Sequence, residues 1–355
     1  MIDDALRLDH VALYVQDLDA RVEEMVAKYG FTVIAETDPA VTTHRTAALR
    51  QGHIVLAVIE GLEDGHPASA YVDAHGDGVA DIVLRTPDVA AAFETAVAAG
   101  ARPLLRPHTQ NGVVTAAIGG FGDVRHTFVQ RPEDLPAGAP PPGLVERSAT
   151  APFTGIGLLE LDHVAICVEA GQLEPTVRFY ESALGFRKIF EERIVVGAQA
   201  MDSQVVQNAS GDVTFTIIEP DTSRAAGQID AFIKDHDGAG VQHLAFSSHD
   251  IVRAVGTLQD NGIDFLTTPD SYYDLLPGRM ELAAHSVDEL KALGVLADAD
   301  HAGQLYQIFT RSTHPRKTLF LEVIERMGAK TFGSGNIKAL YEAVEQERRV
   351  EDERP

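Results

Sequence analysis

The segment Leu161-Asp162-His163-Val164-Ala165-Ile166-Cys167-Val168 repeats Leu8-Asp9-His10-Val11-Ala12-Leu13-Tyr14-Val15, 153 residues upstream, with six of eight positions identical. Both copies alternate apolar and polar residues, the period of a half-buried strand, and each carries its histidine at the same point. Such a repeat commits the chain to two versions of one module, and the remaining sequence can be paired copy against copy.

Leu18 to Tyr29 reads as a helix stopped by Gly30, and Phe31 to Glu36 as a strand. Glu174 to Leu184, Gly185 and Phe186 to Glu191 repeat that series at an offset of 155. Ile54 to Glu60 then matches Val213 to Glu219, and His75 to Ile82 parallels Asp237 to Leu244. The helices that follow, Val89 to Ala99 and Ile251 to Asn261, end at Gly100 and Gly262. Closing strands are expected at His126 to Gln130 and Thr318 to Glu322. Each half thus reads as a β-α-β-β-β unit used twice, an α+β fold.

The expected organisation is a first domain over 1–131, a linker over 132–157 and a second domain over 158–355. The linker carries six prolines by Pro152, a composition that favours extended chain over packed structure. The second half alone has an insertion, Thr267 to Arg316, which contains the strand-like Gly303 to Thr310. After its last strand, Ile337 to Glu347 is apolar at helical spacing and runs into a charged tail. Material added to only one copy locates the working site in that copy.

Composition narrows the partners. A net charge of -24 argues against nucleic acid or an anionic membrane surface. The single cysteine, Cys167, precludes an intrachain disulfide or a thiolate metal cluster. The start of the sequence lacks a secretory signal pattern, and no apolar run reaches the length of a membrane span, so the cytoplasm is the default compartment.

Three strand positions of the second copy stand out: His163, His243 and Glu322. Two imidazoles and a carboxylate form the facial ligand set that leaves open positions on Fe(II). By the offsets above, their first-copy counterparts are His10, Asp81 and Gln130, a set containing an amide, and that site should hold no metal. A lone strand histidine is more often a satisfied core or surface group than a ligand. Glu322, however, sits among Leu319, Phe320, Leu321, Val323 and Ile324, where an unpaired carboxylate would be costly to bury. A bound cation removes that cost.

These residues also carry a resemblance. The duplicated unit with Asp-His-Val-Ala, Gly240-Val241-Gln242-His243 and Phe320-Leu321-Glu322-Val323-Ile324-Glu325 resembles the vicinal-oxygen-chelate superfamily, and within it the 4-hydroxyphenylpyruvate dioxygenase family, which includes the 4-hydroxymandelate synthases. Further matches are Thr268 to Asp274, Gln307-Ile308-Phe309-Thr310 and the tail motif Phe332 to Leu340. The resemblance implies two vicinal-oxygen-chelate domains with the active site in the second. It implies Fe(II), O2 as co-substrate and 4-hydroxyphenylpyruvate, whose own α-keto acid makes 2-oxoglutarate unnecessary. No catalytic residue is expected beyond the metal centre, and a homodimer is left open. The implied pocket residues are Ser203, Val205, Thr216, Ile218, Gln307, Phe332, Ile337 and Tyr341. Ser203, Thr216, Gln307 and Tyr341 are the candidates to hydrogen-bond the phenol and carboxylate, and a helix from Ile337 would lie over the pocket as a lid.

The family has two outcomes, ring hydroxylation with side-chain migration to homogentisate, or benzylic hydroxylation to 4-hydroxymandelate. The dioxygenases resembled here usually have phenylalanine at the position of Ile337 and of Tyr341, and asparagine at that of Ile218, with proline at that of Thr216. Exchanging a flat aromatic wall for Ile337 would free space for the ring to turn and present its benzylic carbon. The departures fit the synthase, so 4-hydroxymandelate and CO2 are the expected products, with homogentisate the alternative. A non-catalytic small-molecule binding or resistance protein on the same fold is the alternative of another class, and an extradiol dioxygenase a third.

Overall fold

A computed structural model of the chain describes residues 6–110, 112–132, 138–147, 155–333, 335–336 and 338–339. The first half runs β1 (Arg7–Tyr14), α1 (Leu18–Ala27), β2 (Thr32–Glu36), β3 (His44–Gln51), β4 (Ile54–Gly61), α2 (Pro67–His75), β5 (Gly78–Arg85), α3 (Val89–Ala98), β6 (Pro103–Gln110), β7 (Val113–Gly119) and β8 (Arg125–Gln130). The linker contributes β9 (Val145–Glu146). The second half runs β10 (Leu158–Cys167), α4 (Leu173–Leu184), β11 (Arg187–Val196), β12 (Gln199–Gln207), β13 (Thr214–Pro220), α5 (Gln228–His236), β14 (Gly240–Ser248), α6 (Ile251–Asp260), α7 (Asp270–Arg279), α8 (Val287–Leu293), β15 (Leu296–Asp300), β16 (Gly303–Phe309) and β17 (Phe320–Met327).

Each half is one mixed sheet built from two βαβββ units. The first has the strand order β6-β7-β8-β5-β1-β4-β3-β2-β9, and the second β11-β12-β13-β10-β14-β17-β16-β15. The duplicated motif strand lies near the middle of both. It is parallel to the last strand of its own unit (β1 with β4, β10 with β13) and antiparallel to the first strand of the next unit (β5 and β14). A central strand is buried on both faces, and this is why the motif carries so few charges.

The sheet order also narrows the insertion. β15 and β16 stand beside β17 as β6 and β7 stand beside β8, so Gly303 to Thr310 is part of the repeat rather than of added material. What the second half adds is the helical pair α7 and α8. Of the expected linker, residues 132, 138–147 and 155–157 are described, and part of this is paired. β9 hydrogen-bonds to β2, and Leu144 packs on Ile34, Ala35, Ala48 and Val55. The expected helix from Ile337 lies, but for Lys338 and Ala339, outside the described residues, as do Ile337 and Tyr341 themselves.

Strand alternation sorts side chains to two destinations. Val11, Leu13, Val164, Ile166 and Val168 enter one continuous core shared by both halves. The halves meet through Phe31 and Phe246, ring centroids 6.1 Å apart. They also meet where His126 Nε2 of β8 shares a 2.8 Å hydrogen bond with the Tyr180 hydroxyl of α4 and its ring stacks on Phe215. Gly52, at the β3–β4 turn, sits at φ +56°, where a Cβ would fall 2.5 Å from the Leu159 carbonyl oxygen of β10. The turn needs glycine both for that conformation and for the approach of the other half.

His126 links this interface to pH. Burial pushes its pKa down to about 4, against the opposing pull of Asp81 and the Ile82 carbonyl. The unfolded chain takes up a proton near pH 6.5 that the folded chain refuses until about pH 4. The stability is therefore complete above pH 6.5 and is lost as pH falls toward 4, a contribution of about 3 kcal/mol. His126→Gln keeps a polar partner for Tyr180 and removes the titration. Its melting temperature should fall less between pH 7 and pH 5 than that of the wild type; equal slopes would show that His126 does not carry the acid sensitivity.

Candidate metal centre

His163, His243 and Glu322 come from β10, β14 and β17, three neighbouring strands in the middle of the second sheet. Register pairs His163 with Ala245 and Ala245 with Glu322, so two of the donors lie in one row, and His243 enters two residues away on β14. All three are buried, with one donor atom from each lying within 4.8 Å of the others. Glu322 Oε2 stands 3.4 Å from His163 Nε2 and 3.3 Å from His243 Nε2. Among the described residues this is the only such grouping of histidine, cysteine and carboxylate side chains.

The surrounding residues fix which atoms face inward. His163 Nδ1 donates to Asp162 Oδ1 at 2.8 Å, and Asp162 in turn accepts from Arg326 Nε and a terminal nitrogen at 2.7 and 2.8 Å. His243 Nδ1 lies 3.3 Å from Gln242 Oε1. Both rings therefore present Nε2 to Glu322, as outer hydrogen bonds do for metal-bound imidazoles. Glu322 Oε1 accepts from Gln307 Nε2 at 3.2 Å. The Gln307 carbonyl accepts from Asn336 Nδ2 at 3.2 Å, and Asn336 Oδ1 lies 3.1 Å from the Tyr272 hydroxyl. Gly333, at φ +70°, passes over Gln307 where a Cβ would collide with its Oε1.

The electrostatics call for a cation. Burial alone would lower the pKa of His163; the Glu322 carboxylate, with Asp162 on the other nitrogen, overrides it and pushes it up to about 9. Burial is the largest influence on His243 and lowers it. Burial works against the Glu322 charge as well, yet its pKa is lowered, chiefly by His163. Asp162, despite burial, is held far below the usual carboxylate range by hydrogen bonds from His163 and Arg326. A site that would charge a buried imidazole is equally suited to a divalent ion, which takes the same position with three neutral or anionic donors. The donor set fits a metal that accepts imidazole and carboxylate and keeps further positions open.

The first half shows how the same scaffold loses the site. Asp81 occupies the place of His243, as expected, but the third counterpart is Thr127 and not Gln130. Asp81 registers with Arg125 and Leu84 with Phe128, which sets Val83 beside Thr127, the geometry of Ala245 beside Glu322. Gln130 instead corresponds to Glu325. Gln130 Oε1 accepts from Val89 N at the start of α3, and Glu325 Oε2 accepts from Ile251 N at the start of α6. Asp81 is already satisfied, by Arg125 Nε at 2.7 Å, Thr127 N at 3.0 Å and Thr127 Oγ1 at 2.5 Å. The guanidinium supplies internally the positive charge that an ion would bring.

A cavity lies over the triad. Ser203, Val205, Thr216, Ile218, Gln307 and Phe332 all line it with the three metal-site residues. Phe332 packs edge-on to His163 at 5.1 Å and has the Arg326 guanidinium 5.0 Å from its ring. Phe190, Glu192, Ile194 and Phe309 line it too and were not singled out from sequence. The two-residue step of Phe190, Glu192 and Ile194 along β11 was the available signal. Asp162 and Gln242, each immediately before a histidine, carried another.

Residues 8–156 match a family described as a glyoxalase-like domain, and 160–276 one described as the glyoxalase, bleomycin resistance protein and dioxygenase superfamily. A 4-hydroxyphenylpyruvate dioxygenase of Dictyostelium discoideum is 32% identical, over 96% of this chain and 97% of its own length. That of Yarrowia lipolytica is 31% identical, over 96% and 91%. A triple mutant of 4-hydroxymandelate synthase from Streptomyces coelicolor superposes with a TM-score of 0.88 at 44% identity, covering 97% of this chain and 99% of that one.

Titration of the metal-free protein with Fe(II) under argon, or with Co(II), should give one site per chain. Glu322→Gln should abolish it, and Asp162→Asn should weaken it by about 10- to 100-fold through the freed His163 ring. His10→Ala should leave the stoichiometry at one; a second site in the wild type that this substitution removes would overturn the assignment of the first half.

Proposed function

Because the chain belongs to the 4-hydroxyphenylpyruvate dioxygenase family, we propose that it holds Fe(II) on His163, His243 and Glu322 and converts 4-hydroxyphenylpyruvate and O2 to 4-hydroxymandelate and CO2. The observation that carries the product is the cavity wall. Ser203, Val205 and Ile218 line it where a bulkier or amide side chain would pin the ring. The serine, valine and tyrosine replaced in the Streptomyces coelicolor synthase variant have the residue types and spacing of Ser203, Val205 and Tyr341.

Iron bound to the triad would supply the redox chemistry, activating O2 for oxidative decarboxylation of the keto acid and hydroxylation of what remains. The chain's own residues bind and orient. Phe190, Val205, Ile218, Phe309 and Phe332 enclose the aromatic ring and keep water from it. Gln307, its carbonyl held by Asn336 and its amide by Glu322, keeps the carboxylate ligand in one orientation. Ser203 and Thr216 line the cavity and bring hydroxyls for substrate oxygens. With Val205 and Ile218 as the aliphatic part of the wall, the ring can turn so that its benzylic carbon, and not its ring carbon, lies toward the triad.

A second reading, formation of homogentisate, is favoured by the names of the relatives from Dictyostelium discoideum and Yarrowia lipolytica. Product analysis separates the two. Purified protein with Fe(II), ascorbate and 4-hydroxyphenylpyruvate should yield 4-hydroxymandelate; homogentisate as the main product would overturn the first reading. Ile337→Phe should shift the distribution toward ring-hydroxylated product or uncoupled 4-hydroxyphenylacetate, and an unchanged distribution would remove this position from the steering role.

A further inference from the structure

The C-terminal end of α2, in the half without a metal triad, meets the second half at two places. Its last residue, His75, stacks on His236, the last residue of α5, with ring centroids 4.6 Å apart and planes at 16°. His75 Nδ1 lies 2.7 Å from the His236 carbonyl oxygen, which can only accept, so the ring donates to a carbonyl at the C-terminus of α5. Asp123 Oδ2, 3.1 Å from Nε2, holds the ring from its own half. The second contact runs the other way. Arg316, from the segment between β16 and β17, donates to the Ala74 and Asp73 carbonyls in the last turn of α2, at 2.5 and 3.2 Å. His314 and Arg316 also pack against Gly76, the residue that ends α2.

Both contacts fall on the chain just before a ligand strand. Three residues separate His236 from the start of β14, and three separate Arg316 from the start of β17. These strands are parallel neighbours, with His243 registered to Phe320 and Ala245 to Glu322. Phe320 stacks on His243 at 4.8 Å. The segment before β17 is tied across its base by Thr310 N to the Leu321 carbonyl at 2.8 Å and by Ser312 Oγ to the Leu319 carbonyl at 2.6 Å. A shift of α2 against the second sheet is therefore passed to the entries of both strands. His163 is held separately, through Asp162 and Arg326. Metal donors tolerate displacements of only about 0.2 Å, so the relative placement of the three strands matters.

Resting on the reading of His163, His243 and Glu322 as a metal centre, we propose that the first half serves that centre as a positioning element. His75 and Arg316 are positioning residues. Through them the end of α2 sets where β14 and β17 enter the sheet, and so where His243 and Glu322 stand relative to His163. The half without a triad thus has a part in the geometry of the other's.

The test reads the centre without substrate. Metal-free wild type and variants are titrated with Co(II) under argon, following affinity and the visible ligand-field bands, which report donor geometry. Arg316→Ala should weaken Co(II) binding by about 3- to 30-fold and alter the bands, and His75→Ala should act in the same direction. Arg316→Lys, which still donates to carbonyls at the end of α2, should recover most of the affinity. Asn261→Ala removes a different bond between the halves, from Asn261 Nδ2 to the Lys28 carbonyl at 3.0 Å, and should keep wild-type affinity and bands. Arg316 is only partly buried, so its two variants decide the matter where His75→Ala does not fold. Wild-type affinity and bands in Arg316→Ala overturn the positioning role. An equal loss in Asn261→Ala overturns it too, since the effect would then be one of interface stability alone. Wild type that takes up no Co(II) overturns the metal reading beneath it.

Discussion

One buried carboxylate organises this molecule. Glu322 is 1% exposed, in the middle of a sheet, with two imidazole nitrogens 3.3 and 3.4 Å from the same oxygen. A charge so placed is tolerated only with a matching positive charge and satisfied lone pairs. The surroundings follow from that need. Asp162 and Gln242 turn the histidines, Gln307 takes the second oxygen, and Arg326 neutralises Asp162. Glu322 and Asp162, one on each nitrogen, raise the proton affinity of His163 against the pull of burial, so the site favours positive charge.

The duplication makes the comparison internal. Asp9, His10 and Arg131 repeat Asp162, His163 and Arg326, down to the hydrogen bonds that join them. The architecture that steadies the first histidine survives in the half that lacks the triad, and only the companions differ. Replacing a histidine by Asp81 and Glu322 by Thr127, with Arg125 across from them, converts a cation site into a closed ion pair. The scaffold work of the motif and its metal work are thus separable, since one half performs the first without the second.

Much of this was legible in the sequence, for identifiable reasons. Period-two patterning and glycine helix stops act locally, so β1, α1, β10 and α4 could be read directly. The His-His-Glu grouping was readable because each member sits on a patterned strand. The counterpart of Glu322 was misplaced by three residues because β8 and β17 share little local identity, and their alignment is set by pairing with β5 and β14. β15 and β16 passed for an insertion because α7 and α8 separate them from α6, whereas in the first half β6 follows α3 directly. Glu192 escaped notice since edge strands have weaker patterning, and its facing depends on register with Ser203. The Asn336–Gln307–Glu322 chain joins residues that only tertiary structure brings together.

That last chain ties a helix found only in the second half to the triad. Tyr272 belongs to α7, the added helix, and its hydroxyl meets Asn336 of the tail motif, which holds Gln307, which holds Glu322. The first half has nothing equivalent to α7 among its described elements. The added material therefore continues the hydrogen-bonded surroundings of one metal-site oxygen outward to the surface of the domain. A lone βαβββ pair can supply three donors from adjacent strands, but its site face is open on one side. Here α7 and the segment after β17 supply Tyr272 and Asn336, which hydrogen-bond in series to Gln307 over that face. Tyr272 of the motif Thr268 to Asp274 and Asn336 of the tail motif meet there, which joins two distant stretches that carry the family resemblance.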